Sequence, residues 1–276
     1  MTQRRLDFAR ELARQAGALL LERFEARRFA KASSAATEFK GRRELVTAVD
    51  REIETLLVTA IRERFEHDAI LAEEGVASPR GVADRAAEFL WILDPIDGTT
   101  NFVHGHPSFS ISIGIVRSGE VAAGGGMGPA PGGPASGEGL LGGPPLGAYC
   151  NDHKLSVSTT TAVRNAVVAT GFSYGRNEKG ADTNVERFTA ALMEARGIRR
   201  CGSAALDLAF VAAGIYDAYW EKDLAPYDVA AATALVLGAG GSIDVLETGK
   251  SPLWDRQVLA SNGRIGSELR ALFDAL

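Results

Sequence analysis

Apolar residues near the start of the chain repeat at helical spacing: Leu6, Ala9, Ala13, Ala16, Leu20 and Phe24. Residues spaced in this way share one face of a helix, so the pattern predicts an amphipathic first helix. Similar spacing predicts further helices over residues 51–65, 185–197, 204–214, 229–241 and 266–275. Short apolar or alternating runs predict strands over residues 44–50, 69–75, 88–94, 109–119, 154–158, 166–172 and 215–221. Helices and strands that interleave in this order indicate an α/β or α+β layered protein.

Polar residues at the segment boundaries predict where several helices begin and end. We expect Asp50, Ser203 and Asp228 to cap the helices that follow them, because their side-chain oxygens can accept hydrogen bonds from the first backbone N–H groups. Gly197 stands where the helix over residues 185–197 would end, a position that favours glycine.

The segment 119–147 breaks the pattern, since it holds twelve of the 31 glycines and five of the ten prolines. Such a composition resists regular structure and predicts a long loop or an irregular hairpin. Its GEGLLG run, residues 137–142, matches the spacing of a dinucleotide-binding fingerprint. However, no convincing strand precedes the run, and Pro144 and Pro145 stand where the helix should begin. We therefore assign no dinucleotide site.

Composition limits the classes of function. A chain of 276 residues with 46% hydrophobic residues can bury a sizeable core. The net charge of −5 makes a nucleic acid an unlikely main partner, because nucleic-acid-binding proteins usually carry a basic face. Two cysteines, Cys150 and Cys201, form no disulfide framework, which favours the cytoplasm. No apolar run is long enough to predict a membrane span.

Acidic residues recur at the ends of apolar segments, at Glu73, Asp94, Asp97 and Asp228. A single acid in such a place is usually a helix cap. Asp94 and Asp97 stand three residues apart around Pro95, so the same turn could direct both carboxylates into one space. Carboxylates that approach each other repel unless a proton or a cation intervenes, and oxygen ligands of this kind suit Mg²⁺. The pattern therefore indicates either a capped turn or a metal site for phosphate transfer.

The run WILDPIDGTTNFVHGHPSFSISIGI, residues 91–115, resembles the first signature of the inositol monophosphatase family over its whole length. The segments ILAEEG, ELVTAVD and 201–241 resemble three more parts of that family. Four residues depart from the family pattern, Ala72, Tyr227, Ala232 and Gly238, and the Gly/Pro-rich segment 119–147 is the largest departure. The resemblance implies the sugar-phosphatase fold with alternating helix and sheet layers. It also implies one domain over residues 1–276, with an N-terminal part to about residue 150 and a C-terminal part from 151.

The resemblance also implies roles for single residues. Glu73, Asp94, Asp97 and the Ile96 carbonyl would bind one Mg²⁺, and Asp94, Asp97 and Asp228 a second, with Glu73 helping to hold a third ion. Thr99, backed by Asp50 and together with Glu73, would orient and activate the attacking water. The backbone N–H groups of Gly98 and Thr99 would meet the phosphate. The hydroxyls of the substrate would contact Gly202, Ser203, Ala204 and Glu221.

The activity implied is hydrolysis of myo-inositol monophosphate or a related small polyol or sugar phosphate. The resemblance further implies two or three Mg²⁺ ions, inhibition by lithium, and a homodimer. Two alternatives stay open. One is a sister-family phosphatase for fructose 1,6-bisphosphate, histidinol phosphate or a 3′-phosphonucleotide. The other is a non-catalytic partner of RNA polymerase or of ribosome assembly.

Overall fold

The computed structural model describes residues 2–29, 37–39, 45–76, 83–129, 136–144, 146–178, 182–246 and 251–276. The helices are α1 (Thr2–Phe29), α2 (Ala48–Arg64), α3 (Thr99–Val103), α4 (Val185–Glu194), α5 (Ala204–Ala212), α6 (Pro226–Gly238) and α7 (Gly266–Asp274), with a 3₁₀ turn at Val163–Asn165. The first strands are β1 (Thr37–Phe39), β2 (Leu45–Thr47), β3 (Ala69–Ala72), β4 (Phe89–Asp97), β5 (Ser110–Arg117), β6 (Glu120–Pro129) and β7 (Ser136–Gly143). The remaining strands are β8 (Gly147–Cys150), β9 (His153–Lys154), β10 (Val167–Thr170), β11 (Gly197–Arg199), β12 (Ala218–Lys222), β13 (Ser242–Asp244) and β14 (Gln257–Ser261).

The strands form two large mixed sheets and one short ribbon. A seven-stranded sheet has the order β3-β4-β5-β6-β7-β8-β9, in which β3 and β4 are parallel and the other pairs are antiparallel. A five-stranded sheet has the order β11-β10-β12-β14-β13. The strands β1 and β2 pair with each other.

Helices cover both faces of each large sheet, because each sheet face and helix stripe must bury its apolar side against another element. The helices α1 and α2 pack on one face of the seven-stranded sheet, and α5 and α6 lie between the two sheets. The helices α4 and α7 cover the outer face of the five-stranded sheet. The result is the alternating helix and sheet architecture that the sequence predicts, and that fold class is confirmed.

The predicted caps at Asp50 and Asp228 are wrong by three residues. Thr47 caps α2, and Asp50 is the third helical residue, whose carboxylate accepts the Thr47 backbone N–H at 2.8 Å. The helix α6 begins at Pro226, and Asp228 accepts the Ala225 backbone N–H at 2.6 Å in the same way. In both helices the aspartate reaches back to the residue before the helix, so the helix starts earlier than a cap would place it.

Two other segments differ from their predictions, while one of the alternatives for the Gly-rich segment and the predicted cap at Ser203 are confirmed. The Gly-rich segment supplies β6 and β7, two strands of the seven-stranded sheet, so the hairpin alternative holds and the long loop does not. The predicted strand over 154–158 is wrong beyond Lys154, and Gly197 opens β11 instead of ending α4, which stops at Glu194. Ser203 caps α5 as predicted.

None of the helices in the described parts of the chain is long and apolar enough to cross a membrane.

Candidate active site

The strand β4 brings Asp94 and Asp97 to the same edge of the seven-stranded sheet. All nine of its residues are buried, and its pairing with β5 shifts register between Asp94, opposite Ser112, and Asp97, opposite Ser110. A bulge of this kind re-aims side chains at the end of a strand. Gly98 follows with φ of +96°, a left-handed conformation that turns the chain into α3.

Asp228, from the first turn of α6, completes a cluster with these two aspartates. One carboxylate oxygen from each of Asp94, Asp97 and Asp228 lies within 4.8 Å of the others. Burial raises the pKa of Asp94 and of Asp228 well above the usual carboxyl value, and the neighbouring carboxylates raise both further. Burial also raises the pKa of Asp97 to about 6. Three carboxyl groups held this close favour a bound cation, which would remove their mutual repulsion.

Hydrogen bonds hold all three aspartates in place, Asp228 through the Ala225 backbone N–H described above. Asp97 Oδ2 accepts hydrogen bonds from the Ala205 backbone N–H at 2.8 Å and from the Ser203 hydroxyl. The start of α5 therefore holds the Asp97 carboxylate. Asp94 Oδ1 accepts the Ile96 backbone N–H at 2.9 Å.

Glu73 lies beside Asp94, and its charge raises the pKa of the Asp94 carboxyl. A residue that the sequence analysis missed controls the turn that carries Glu73. Glu54, fully buried on α2, accepts the backbone N–H groups of Glu74 and Val76, each at 2.6 Å. The signal was present, because Glu54 shares the apolar face of α2 with Leu57, Val58 and Ile61, where a carboxylate needs a partner.

Thr99 and Asp50 are joined by a hydrogen bond between distant parts of the chain. The Thr99 hydroxyl lies 3.0 Å from Asp50 Oδ1 and 3.0 Å from the Ile96 carbonyl oxygen, and can donate to either. Asp50 is fully buried, and this burial raises the pKa of its carboxyl, opposed by hydrogen bonds from Thr47. A threonine hydroxyl tied to a buried carboxylate can pass its proton and accept one from a water molecule.

A cavity of about 750 Å³ opens above the carboxylate cluster. Its lining includes every residue of the predicted metal and substrate sets: Glu73, Asp94, Ile96, Asp97, Gly98, Thr99, Gly202, Ser203, Ala204, Glu221 and Asp228. Asp50 does not line the cavity and is linked to it by the hydrogen bond from the Thr99 hydroxyl. The structure thus brings the predicted residues together, from segments as far apart as Glu73 and Asp228.

Glu221 occupies the space that a side chain at residue 171 would fill. A Cβ on Gly171 would lie 2.0 Å from Glu221 Oε2, so the glycine makes room for the carboxyl group. The Tyr219 hydroxyl donates to Glu221, and burial raises the pKa of Glu221 to about 7.

Asp207, on α5, is a second residue that the sequence analysis missed. It lines the cavity, is 1% exposed, and its Oδ1 has no hydrogen-bond partner among the described residues. Burial raises the pKa of Asp207 well above the usual carboxyl value, and the charges of Asp97 and Glu221 raise it further. The only sequence signal was an acid inside the otherwise apolar run of residues 204–214.

The sequence model of the inositol monophosphatase family matches residues 1–275. The chain belongs to this family. The resemblance seen in its signature segments is therefore confirmed, and the protein is a member of a phosphatase family.

Two relatives and a solved structure illustrate the match. The chain is 39% identical over 243 residues to the chloroplastic phosphatase IMPL1 of Arabidopsis thaliana, covering 84% of this chain and 61% of that protein's length. It is 36% identical to the Nus factor SuhB of Pseudomonas aeruginosa, over 86% of this chain and 84% of that one. The inositol monophosphatase of Anabaena (Nostoc) sp. PCC 7120 superposes with a TM-score of 0.85 at 33% identity, covering 100% and 97% of the two chains.

Proposed function

We propose that this protein is a Mg²⁺-dependent phosphomonoesterase that hydrolyses inositol monophosphate or a related small polyol or sugar phosphate. The observation that carries the proposal is the cluster of Asp94, Asp97 and Asp228 in the lining of a cavity that the predicted substrate residues also line. Ionising buried carboxyl groups that lie close together costs free energy, and a bound hard divalent cation offsets that cost.

The residues present fit Mg²⁺ by their chemistry, because all the donors are oxygen atoms. Asp94, Asp97 and Asp228 would hold the metal, with Glu73 and the Ile96 carbonyl as further ligands. When bound, Mg²⁺ supplies positive charge that stabilises the phosphoryl group and the leaving oxygen.

The chain's own residues account for the remaining steps. In hydrolysis the water oxygen bonds to phosphorus, the ester P–O bond breaks, and the leaving alkoxide takes up a proton. Thr99, whose hydroxyl can donate to Asp50, would accept a hydrogen bond from the attacking water. Glu73 would share in orienting that water. The backbone N–H groups of Gly98 and Thr99 would position the phosphate.

On the leaving-group side, Glu221 would bind substrate hydroxyls. The Ser203 hydroxyl is engaged with Asp97, so the contribution of Gly202, Ser203 and Ala204 to the substrate would come from the main chain. We also propose that the protein is a homodimer and lies in the cytoplasm. Light scattering in solution is the direct test of the dimer.

The relative named Nus factor SuhB supports a second candidate, a regulatory partner of RNA polymerase or of ribosome assembly. The two candidates make opposite predictions for turnover, since a regulator without activity needs no Mg²⁺-dependent phosphate release. A pull-down with RNA polymerase would test the second candidate directly.

The deciding experiment measures phosphate release from a panel of phosphomonoesters, with and without Mg²⁺ and Li⁺. We expect Mg²⁺-dependent release that Li⁺ inhibits, and the panel also separates inositol phosphates from the substrates of sister phosphatases. Asp94→Asn should abolish release while the protein stays folded. Asp152→Asn, at a carboxylate whose side chain is 93% exposed, is the control and should behave as wild type. Turnover retained in Asp94→Asn would remove the metal assignment.

A further inference from the structure

Arg200 stands in the wall of the same cavity, just before the predicted substrate residues Gly202, Ser203 and Ala204. Its side chain is exposed, and within the described parts of the chain it has no hydrogen-bond or ion-pair partner. Two other cations line the cavity, but both face carboxylates. Lys222 donates to Asp182 at 2.8 Å, and Arg256 lies 3.9 Å from Asp223.

Two glycines set the position of the Arg200 guanidinium relative to the proposed phosphate site. A Cβ on Gly202, which has φ of +86°, would lie 2.6 Å from Arg200 Nη1. A Cβ on Gly98 would in turn lie 3.2 Å from the Gly202 carbonyl oxygen. The guanidinium therefore packs against Gly202, and Gly202 packs against the turn that would hold the reacting phosphate. Arg200 lies one residue layer away from that turn.

The charges around Arg200 leave its own charge available. Its charge lowers the pKa of two acidic groups in the cavity lining, Asp207 and Glu221. Burial has the opposite and larger effect on both, so these carboxyl groups bind protons more tightly than exposed ones. Asp207 also has a buried Oδ1 without a partner, which shows that the guanidinium does not bond to it there.

We propose that Arg200 binds a second anionic group of the substrate, a phosphate or a carboxylate on the leaving-group side. This rests on the proposed phosphatase function and adds to its substrates phosphomonoesters that carry a further negative charge. A guanidinium presents a planar fork of N–H donors that matches both kinds of anion. The cavity has room for such a substrate, since its volume falls in the upper part of the roughly 300–1,000 Å³ that ligand pockets span.

The test compares substrates in matched pairs that differ only by the second anion. One pair is glycerol 3-phosphate and 3-phosphoglycerate, which tests a carboxylate. The other is fructose 1,6-bisphosphate and the fructose monophosphate, 1- or 6-, that carries the ester cleaved in the bisphosphate, which tests a phosphate. The measured quantity is the ratio of kcat/KM for the member that carries the second anion to kcat/KM for the member that lacks it. Wild type, Arg200→Gln and Arg199→Gln are compared, because Arg199 is an exposed neighbour outside the cavity lining.

We expect wild type to have the higher kcat/KM for the member with the second anion in at least one pair. Arg200→Gln should lower that preference at least about tenfold, mainly through KM, as for loss of a charge-assisted hydrogen bond. Arg199→Gln should keep it. An unchanged ratio in Arg200→Gln, or equal losses for both members of each pair, would overturn the proposal. The pair that responds identifies the anion.

Calorimetric binding of fructose 1,6-bisphosphate and 3-phosphoglycerate separates this inference from the proposed function. If wild type releases no phosphate from any ester with Mg²⁺, the phosphatase proposal fails by itself. Binding that Arg200→Gln weakens and Arg199→Gln preserves would still support Arg200 as an anion-binding residue. Absence of binding to wild type would overturn that role as well.

Discussion

The Glu54 carboxylate accepts a hydrogen bond of 2.6 Å from the backbone N–H of Glu74, the residue that follows the proposed metal ligand Glu73. A second bond of the same length comes from Val76. The helix α2 thus holds the turn that carries Glu73. Hydrogen bonds to charged groups are among the stronger ones in proteins.

Glu54→Gln should weaken Mg²⁺ binding. Glutamine keeps the size of the side chain, but its amide offers one oxygen and places N–H groups against a backbone donor. We expect a loss of about 1–3 kcal/mol in the free energy of unfolding and about tenfold weaker Mg²⁺ binding. Thermal unfolding and calorimetric Mg²⁺ titration measure the two effects. Glu52→Gln, at the surface pair with Arg23, is the matched control. Unchanged Mg²⁺ binding in Glu54→Gln would show that Glu73 needs no such support.

Asp50→Asn should lower kcat about 100-fold or more, because the Thr99 hydroxyl would lose its charged proton acceptor. Thr99→Val should cause a similar loss, and the double variant should be little worse than either single one, since the two residues act together. Steady-state kinetics at saturating Mg²⁺ measure this, and Thr99→Ser is the variant that should retain most activity. Additive losses in the double variant would contradict a shared role.

Gly171→Ala should impair substrate binding without touching the carboxylate cluster. The added Cβ would lie 2.0 Å from Glu221 Oε2, so either the Glu221 side chain or the main chain must move. We expect KM to rise about tenfold or more, with a smaller change in kcat and in Mg²⁺ binding. Gly175→Ala is the control, since a Cβ there meets no atom closer than 3.5 Å. Equal effects of the two substitutions would argue against Glu221 as a substrate contact.

The metal-free protein should lose stability as pH rises. Burial raises the pKa of Asp97 to about 6 and that of Glu221 to about 7, above the values of unfolded carboxyl groups. A raised folded-state pKa gives stability that is complete below the unfolded pKa and is lost as pH rises through the folded pKa. Thermal unfolding in a chelator should therefore show a falling midpoint between about pH 5 and about pH 8. Mg²⁺ should reduce this fall, and Asp94→Asn should show a smaller fall and no Mg²⁺ effect. A midpoint that rises over this range in the chelator would contradict the burial of these groups.

Sequence reasoning succeeded where the chemistry was local. The spacing of apolar residues in α1 and the hydroxyl of Ser203 each contain the information for the structure that they form. The starts of α2 and α6 were missed because the decisive residues stood upstream. Two signals mark these starts better than an aspartate alone. They are Thr47 with Asp50 three residues later, and Pro226 at the first helical position.

Other features depend on neighbours that are remote in sequence. The turn around Gly98 could be placed from its residue types, and so could Asp94 and Asp97. The bonds from Glu54 to the Glu74 turn and the buried Asp207 required the fold to be known. The Gly-rich strands are the clearest case, since composition alone argued for irregular structure and packing against α6 favours strands.

The run of three glycines in β6, residues 124–126, lets neighbouring main chain approach the strand closely. A Cβ on Gly124 would lie 2.4 Å from the Ala231 carbonyl oxygen, so the main chain of α6 rests directly on the strand. Asp228 rides on the same helix, one turn from that contact. A single added methyl group at Gly124 would lift the helix and carry Asp228 away from Asp94 and Asp97. Substitutions in this Gly-rich segment, whose composition alone predicts irregular structure, should therefore appear in a genetic screen as variants with impaired metal binding.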